Sequence, residues 1–151
     1  MQHKQRSFNL ITRKTQPGKQ GQSLVEFALL LPVLVLILVG VFDLGRAFHA
    51  LITISNAGRE AARYGTLHND ILDDPDEMDK LYNVAVVEAA SSNMPISADD
   101  VNVLCLATGA PPKCPRDTTL QVQVDYTYTP ILSFFFPDGV TIHSAVEMRV
   151  P

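Results

Sequence analysis

Cys105 and Cys114, in the stretch LCLATGAPPKCP, are the two cysteines of the chain. They could close a disulfide loop, share a metal, or stay reduced as structural thiols. Two thiolates with no nearby histidine are too few ligands for structural zinc, so a Cys105–Cys114 disulfide is expected, with reduced thiols as the remaining alternative. Glu26 stands at the edge of a long apolar run, where a carboxylate needs a partner, a proton or the interface. Asp43 and Arg46 are three apart and would share a helix face as an intrahelical ion pair worth a few tenths of a kcal/mol, with an intersubunit role as the second alternative. Asp99 and Asp100 are neighbouring acids of the sort that usually cap a turn or face water. His3, His49, His68 and His143 are scattered, without carboxylate or cysteine at ligand spacing, and His49 reads as an interfacial residue only.

No phosphate loop, dinucleotide fingerprint, HExxH or GxSxG occurs. No cofactor, no metal and no enzymatic activity is expected. The net charge of −4 averages two unlike parts. Residues 1–21 carry Lys4, Arg6, Arg13, Lys14 and Lys19 and no acid, whereas the chain after Gly65 is acidic. An acidic body disfavours nucleic acid as a partner. The basic leader could meet anionic lipid, which needs nothing beyond a topological role.

These groups must be positioned by a small number of elements. Phe27 to Phe42 (FALLLPVLVLILVGVF) has no charged or strongly polar side chain. Extended to residues 24–48, it reaches the roughly 20 apolar residues a spanning helix needs. It is too long for a signal-peptide core, and no A-x-A pattern follows it. The bases before it place the N-terminus in the cytoplasm and the C-terminal body outside the plasma membrane, where an oxidising exterior permits a disulfide. Pro32 falls inside the run and predicts a kink, not an end, because membrane helices tolerate proline.

Beyond the run, Ala47, Ala50, Leu51, Ile54, Ala57, Ala61 and Ala62 recur at spacings of three and four, marking an apolar helical stripe. The helix is therefore expected from Ser23 to about Tyr64, roughly 60 Å at 1.5 Å per residue, with Gly65 as its stop signal after Arg59 and Arg63. That exceeds any bilayer, so its outer half should cover the external domain. Residues 66–75 read as a loop, and Asp76 to Asn93 as a second helix with Met78, Leu81, Tyr82, Ala85, Val86, Ala89 and Ala90 on its apolar face. The period then changes to two in three stretches: Val101 to Cys105, Leu120 to Tyr128, and Val140 to Val150. Alternation of this kind marks half-buried strands. The fold class is α+β: a long N-terminal membrane-spanning helix packed on a small antiparallel sheet, with one further helix. Gly40 and Gly45 could admit a neighbouring helix, although five apart they make no GxxxG face. Phe134-Phe135-Phe136 is expected against the sheet or the membrane surface, with a partner-binding patch as the alternative.

GQSLVEFALLLPVLVLILVG joins a glycine that ends a basic leader, a glutamate five residues later, and an apolar run. This resembles the class III signal peptide of type IV pilin-like proteins, which a prepilin peptidase cuts after the glycine. The resemblance implies cleavage between Gly21 and Gln22, with Glu26 as fifth residue of the mature chain. Gln22 departs from the apolar first residue usual in major pilins. VEFALLLPVLVLILVGVFDLGRA followed by NAGREAARYG resembles, more closely, the TadE-like family of the tight-adherence (Flp) pilus apparatus, with its Glu-Phe pair (Glu26, Phe27), intramembrane proline (Pro32) and alanine-rich Ala-Arg segment. VQVDYTYTPIL and VTIHSAVEMRV look like that family's closing strand pair.

The resemblance implies a pseudopilin-like minor pilin or assembly factor whose partners are the membrane, a prepilin peptidase, and other pilin or assembly-platform subunits. The expected organisation is a cleaved leader over 1–21, a long helix over 22–64, and an external α+β domain over 65–151. The protein would be single-pass in the plasma (inner) membrane or carried into an extracellular pilus. Glu26 would meet the freed N-terminal amine of a neighbouring subunit; its alternative is a wet place at the cytoplasmic headgroups. The rivals for the whole chain are an uncleaved, signal-anchored extracytoplasmic binding module and, ranked far below it, a membrane-anchored enzyme using acidic residues of the external domain such as Asp99 and Asp100.

Overall fold

A computed structural model describes residues 19–68, 70–107, 114–134 and 136–151, with the side chains of residues 19 and 20 left out. The basic leader expected over 1–21 thus lies almost wholly outside the described residues, as does Phe135. Helix α1 spans Lys19–Leu67 and runs through Pro32. Helix α2 spans Pro75–Ser91, and a single 3-10 turn covers Ala98–Asp100. Strands β1 (Val101–Cys105), β2 (Thr119–Tyr128) and β3 (Val140–Arg149) follow. They form one antiparallel sheet in the order β1-β2-β3. The α+β architecture expected from the two periodicities is the one observed.

The described chain divides into two compact units after Leu38. In the first, every side chain from Gly21 to Leu38 is exposed. It belongs to a helix long and apolar enough to cross a membrane. An apolar helix with no protein around it would be unfavourable in water, and hydrocarbon is the solvent that suits it.

The second unit, Val39–Pro151, is built around a core between the outer part of α1, helix α2 and one sheet face. Ala50, Ile54, Ala57, Ala61 and Ala62 of α1 are buried, as are Leu81, Ala85 and Ala89 of α2 and Leu120, Val122 and Val124 of β2. The alanine stripe works because small side chains let a helix axis lie close to the sheet. Leu51 and Ala90, expected on the apolar faces, are instead exposed; the residue before each, Ala50 and Ala89, takes the inward place.

Register explains the other sheet face. Gln121 pairs with Glu147 and Asp125 with His143 across β2 and β3, and both pairs are hydrogen-bonded, at 2.9 and 2.7 Å. Because alternate residues point to opposite faces, the same alternation that buries Leu120, Val122 and Val124 puts these polar partners outside. The His143 ring beside Asp125, with Gln123 adding a further hydrogen bond, holds that carboxyl below the usual range.

Two sequence expectations need correction. Gly65 does not stop α1, which continues to Leu67 and has no basic residue in its last turn. A Cβ at Gly65 would sit 2.5 Å from Leu120 Cδ2 and 3.0 Å from Leu81 Cδ1. The glycine is a point of close approach between three elements, not a C-cap. Helix α2 begins at Pro75 and ends at Ser91, inside the expected Asn93. Asp74 is its N-cap, accepting from the Asp76 amide, and proline occupies the first turn where no N–H partner is needed. Asn93 takes a positive φ of 57° just past the helix, a conformation asparagine tolerates better than most residues.

Cys105 and Cys114 are joined in a disulfide, with Cα atoms 5.6 Å apart. Cys114 is buried in the core. The bridge closes the segment after β1 and pins its far end beside Thr118, whose hydroxyl lies within 3.5 Å of Cys105 Sγ and 3.4 Å of Cys114 Sγ. Asp100 has a structural task as well: its carboxylate accepts from both the amide and the hydroxyl of Ser97, at 2.7 and 2.8 Å. It caps the turn that leads into β1.

Candidate functional site

Gly21, Gln22, Glu26 and Phe27 all lie on the first two turns of α1 or just beyond. Gln22 Nε2 donates to Glu26 Oε1 at 3.3 Å, the reach of an i,i+4 pair. Phe27 is 59% exposed and shares an apolar face with Leu30, Leu31 and Leu34. The Gly21–Gln22 bond lies near the start of the helix, where the first amides have no intrahelical acceptor and the backbone is held least. Among the described residues nothing lies within 4 Å of where a Cβ on Gly21 would stand.

Asp43 gives the densest polar site among the described residues. It is only 8% exposed. Its Oδ1 accepts from the Tyr128 hydroxyl at 2.8 Å and from the Ile131 amide at 3.0 Å. Its Oδ2 accepts from Ile131 at 2.9 Å and from Leu132 at 3.3 Å. Tyr128 also reaches the Asp43 carbonyl at 3.1 Å. The pair with Arg46 is present at 3.4 Å, and the Arg46 guanidinium lies 5.2 Å from the Tyr128 ring centroid, within cation–π range. Burial pushes the Tyr128 phenol up from its ordinary value, and the hydrogen bond to Asp43 adds to the rise.

The arrangement joins helix α1 to the end of β2 and to the first residues of the β2–β3 loop. A carboxylate in a poorly solvated place is tolerable when several N–H and O–H donors replace its water. Asp43 has them. The sequence displayed only its i,i+3 neighbour Arg46, so an intrahelical pair was expected and the larger role was missed. The one available signal was that Asp43 is the first acid after Glu26, placed at the end of the apolar run.

A second polar cluster ties the end of α1 to the start of α2. Tyr64 donates to Glu77 Oε2 at 2.7 Å, and Lys80 donates to Glu77 Oε1 at 2.7 Å. His68 stacks on Tyr64 with ring centroids 4.4 Å apart. Lys80, then Tyr64, hold the Glu77 carboxyl below its usual range. His49 is exposed and lines a shallow depression with Arg46, Met94 and Tyr126. Among the described residues no group of three or more His, Cys, Asp or Glu side chains is placed to hold a metal ion.

Compared with known protein families, residues 21–63 match the model described as TadE-like protein. Over those residues the helix is similar to the TadE-like family. The match opens on Gly21 and closes on Arg63, so it takes in Glu26, Phe27, Pro32, Asp43 and Arg46 and lies wholly within α1. The TadE-like family is associated with tight-adherence pilus systems. No curated protein and no solved structure matches the chain. The TadE-like assignment therefore rests on the helix, and the sheet that Asp43 docks to lies beyond the matched residues.

Proposed function

We propose that this chain is a pseudopilin-like minor pilin or assembly factor of a tight-adherence pilus, cleaved by a prepilin peptidase between Gly21 and Gln22. The observation that carries the reading is the TadE-like match that begins at Gly21 itself. It is supported by the helix that follows, whose side chains from Gly21 to Leu38 are all open to neighbours. In this reading the helix inserts in the membrane and packs laterally against other pilin or platform helices. Helix association in lipid depends on shape and on polar groups, since lipid tails are as apolar as leucine. Glu26 supplies such a polar group, and a freed amine on a neighbour would neutralise it. The role is structural, without catalysis, and needs no cofactor.

The test is the intact mass of the chain expressed with and without a prepilin peptidase. A product beginning at Gln22, abolished in Gly21→Ala, is the expected result. A full-length chain in the presence of a peptidase active on a control substrate would overturn the processing step. The chain would then be a plain signal-anchored module.

A further inference from the structure

The β2–β3 loop, residues 129–139, is unusual for a connection in being mostly apolar. It contains one charged residue, Asp138. Phe134 is 90% exposed, and Ile131 and Phe136 are each 53% exposed. We propose that this loop is a second membrane-contacting element, immersed in the outer headgroup region of the bilayer beside α1 and held at that depth by Asp43. The proposal rests on reading α1 as a membrane span.

Depth follows from the hydrogen bonds. The Ile131 and Leu132 amides both bind Asp43, so the loop starts at the level of that residue. Asp43 lies five residues before Phe48, the outer end of the expected span, which is about 7.5 Å along a helix. The span over 24–48 is about 37 Å long at 1.5 Å per residue. That exceeds the roughly 30 Å hydrocarbon core and approaches the 40–45 Å that includes headgroups. Asp43 then falls close to the boundary between hydrocarbon and headgroups, and Phe134 and Phe136 fall there with it. Phe and Leu side chains of interfacial segments bury about 5–10 Å into the boundary between headgroups and acyl chains.

Lipid is the occupant that suits the surface. The loop is continuous with the apolar flank of α1: a groove lined by Gly40, Leu44, Leu132, Phe136, Val140 and Ile142 joins the two. Val41, Phe42, Leu44 and Phe48 beside it are all more than half exposed. Irregular backbone enters an apolar medium only when its polar groups are satisfied within the protein. Here Ile131 and Leu132 donate to Asp43, Phe136 donates to the Ser133 carbonyl at 3.1 Å, and Gly139 donates to the Phe136 carbonyl at 3.1 Å. Pro130 and Pro137 have no N–H to satisfy. These bonds place four of the loop's amides on acceptors within the protein.

The chain has no tryptophan, so single-tryptophan variants report on one place each. The full chain carrying Phe134→Trp is placed in phosphatidylcholine vesicles with brominated acyl chains, and acrylamide serves as the aqueous quencher. Leu36→Trp reports on the span, and Val87→Trp, on the exposed side of α2, reports on the body. The expected result for Phe134→Trp is emission at shorter wavelength and bromine quenching at least about twofold stronger than for Val87→Trp, as for an aromatic at the interface. Strong bromine quenching at Leu36→Trp with acrylamide quenching alone at Phe134→Trp would overturn the loop proposal and leave the span intact. Shielding of Phe134→Trp from both quenchers would mean that protein covers the loop, and would also overturn it. Failure at Leu36→Trp would remove the span reading, and the loop proposal with it.

Discussion

Replacing Asp43 with alanine removes one acceptor from four donors: the Tyr128 hydroxyl, the Ile131 and Leu132 amides, and Arg46. Hydrogen bonds to a charged acceptor contribute about 1.5–3 kcal/mol each, and a buried donor left without a partner costs about 1–3 kcal/mol. The Arg46 pair adds only a few tenths, because Arg46 is largely solvated. The bonds share one carboxylate and will not sum. A loss of about 2–4 kcal/mol is expected for Asp43→Ala, from the buried donors left without an acceptor. Tyr128→Phe deletes one donor and keeps the ring under Arg46, so about 1–2 kcal/mol is expected.

Two measurements check this on the full chain in detergent micelles. Denaturant unfolding of the wild type, the two single variants and the double variant gives a coupling energy, expected above about 1 kcal/mol for residues in one network. Amide hydrogen exchange at Ile131 and Leu132 reads the site directly. Both amides should lose protection in Asp43→Ala, whereas Tyr128→Phe should leave them protected. Asp43→Ala costing under about 1 kcal/mol, with both amides unchanged, would refute the reasoning, because a carboxylate holding those donors cannot be removed silently.

Two further outcomes follow from packing and charge. Gly65→Ala should destabilise the body by up to about 2 kcal/mol, since overpacking a core costs about 1–3 kcal/mol and the helix-propensity gain offsets about 1; Gly58→Ala, whose Cβ would stand 3.3 Å from Val146 Cγ2, should do less, and thermal melts of the two variants check the order. The depressed Asp125 carboxyl gives a pH dependence of definite sign: its contribution is fully present above the unfolded carboxylate value and disappears as pH falls through the lower, folded one. His143→Ala removes the main cause, so an NMR titration of the Asp125 carboxyl should move toward the ordinary carboxylate range, and an unmoved titration would show that the pair is not what holds it down.

Much of this fold could be read from residue order alone. Helical and strand periods follow from where successive side chains point, so the alanine stripe of α1 and the alternation of β2 announced their elements and buried faces before any packing was known. The apolar run of α1 and the TadE-like pattern from Gly21 onward are also local, written in contiguous residues. Proximity in sequence made the Cys105–Cys114 bridge legible. Gly65 shows where local reading fails. Glycine after two arginines has the chemistry of a helix end, and only the nearness of Leu120 and Leu81 gives it a different task.

Asp43 shows the limit more sharply. Its side-chain partner Tyr128 is 85 residues away, and its amide donors 88 and 89. Backbone N–H groups are present at every non-proline residue, so no residue type marks the ones that will meet a carboxylate. Composition and period determined the elements and the apolar surface of the helix. Tertiary structure alone decided which carboxylate joins helix to sheet, because that depends on how the end of β2 folds back against α1, and no run of neighbouring residues encodes it.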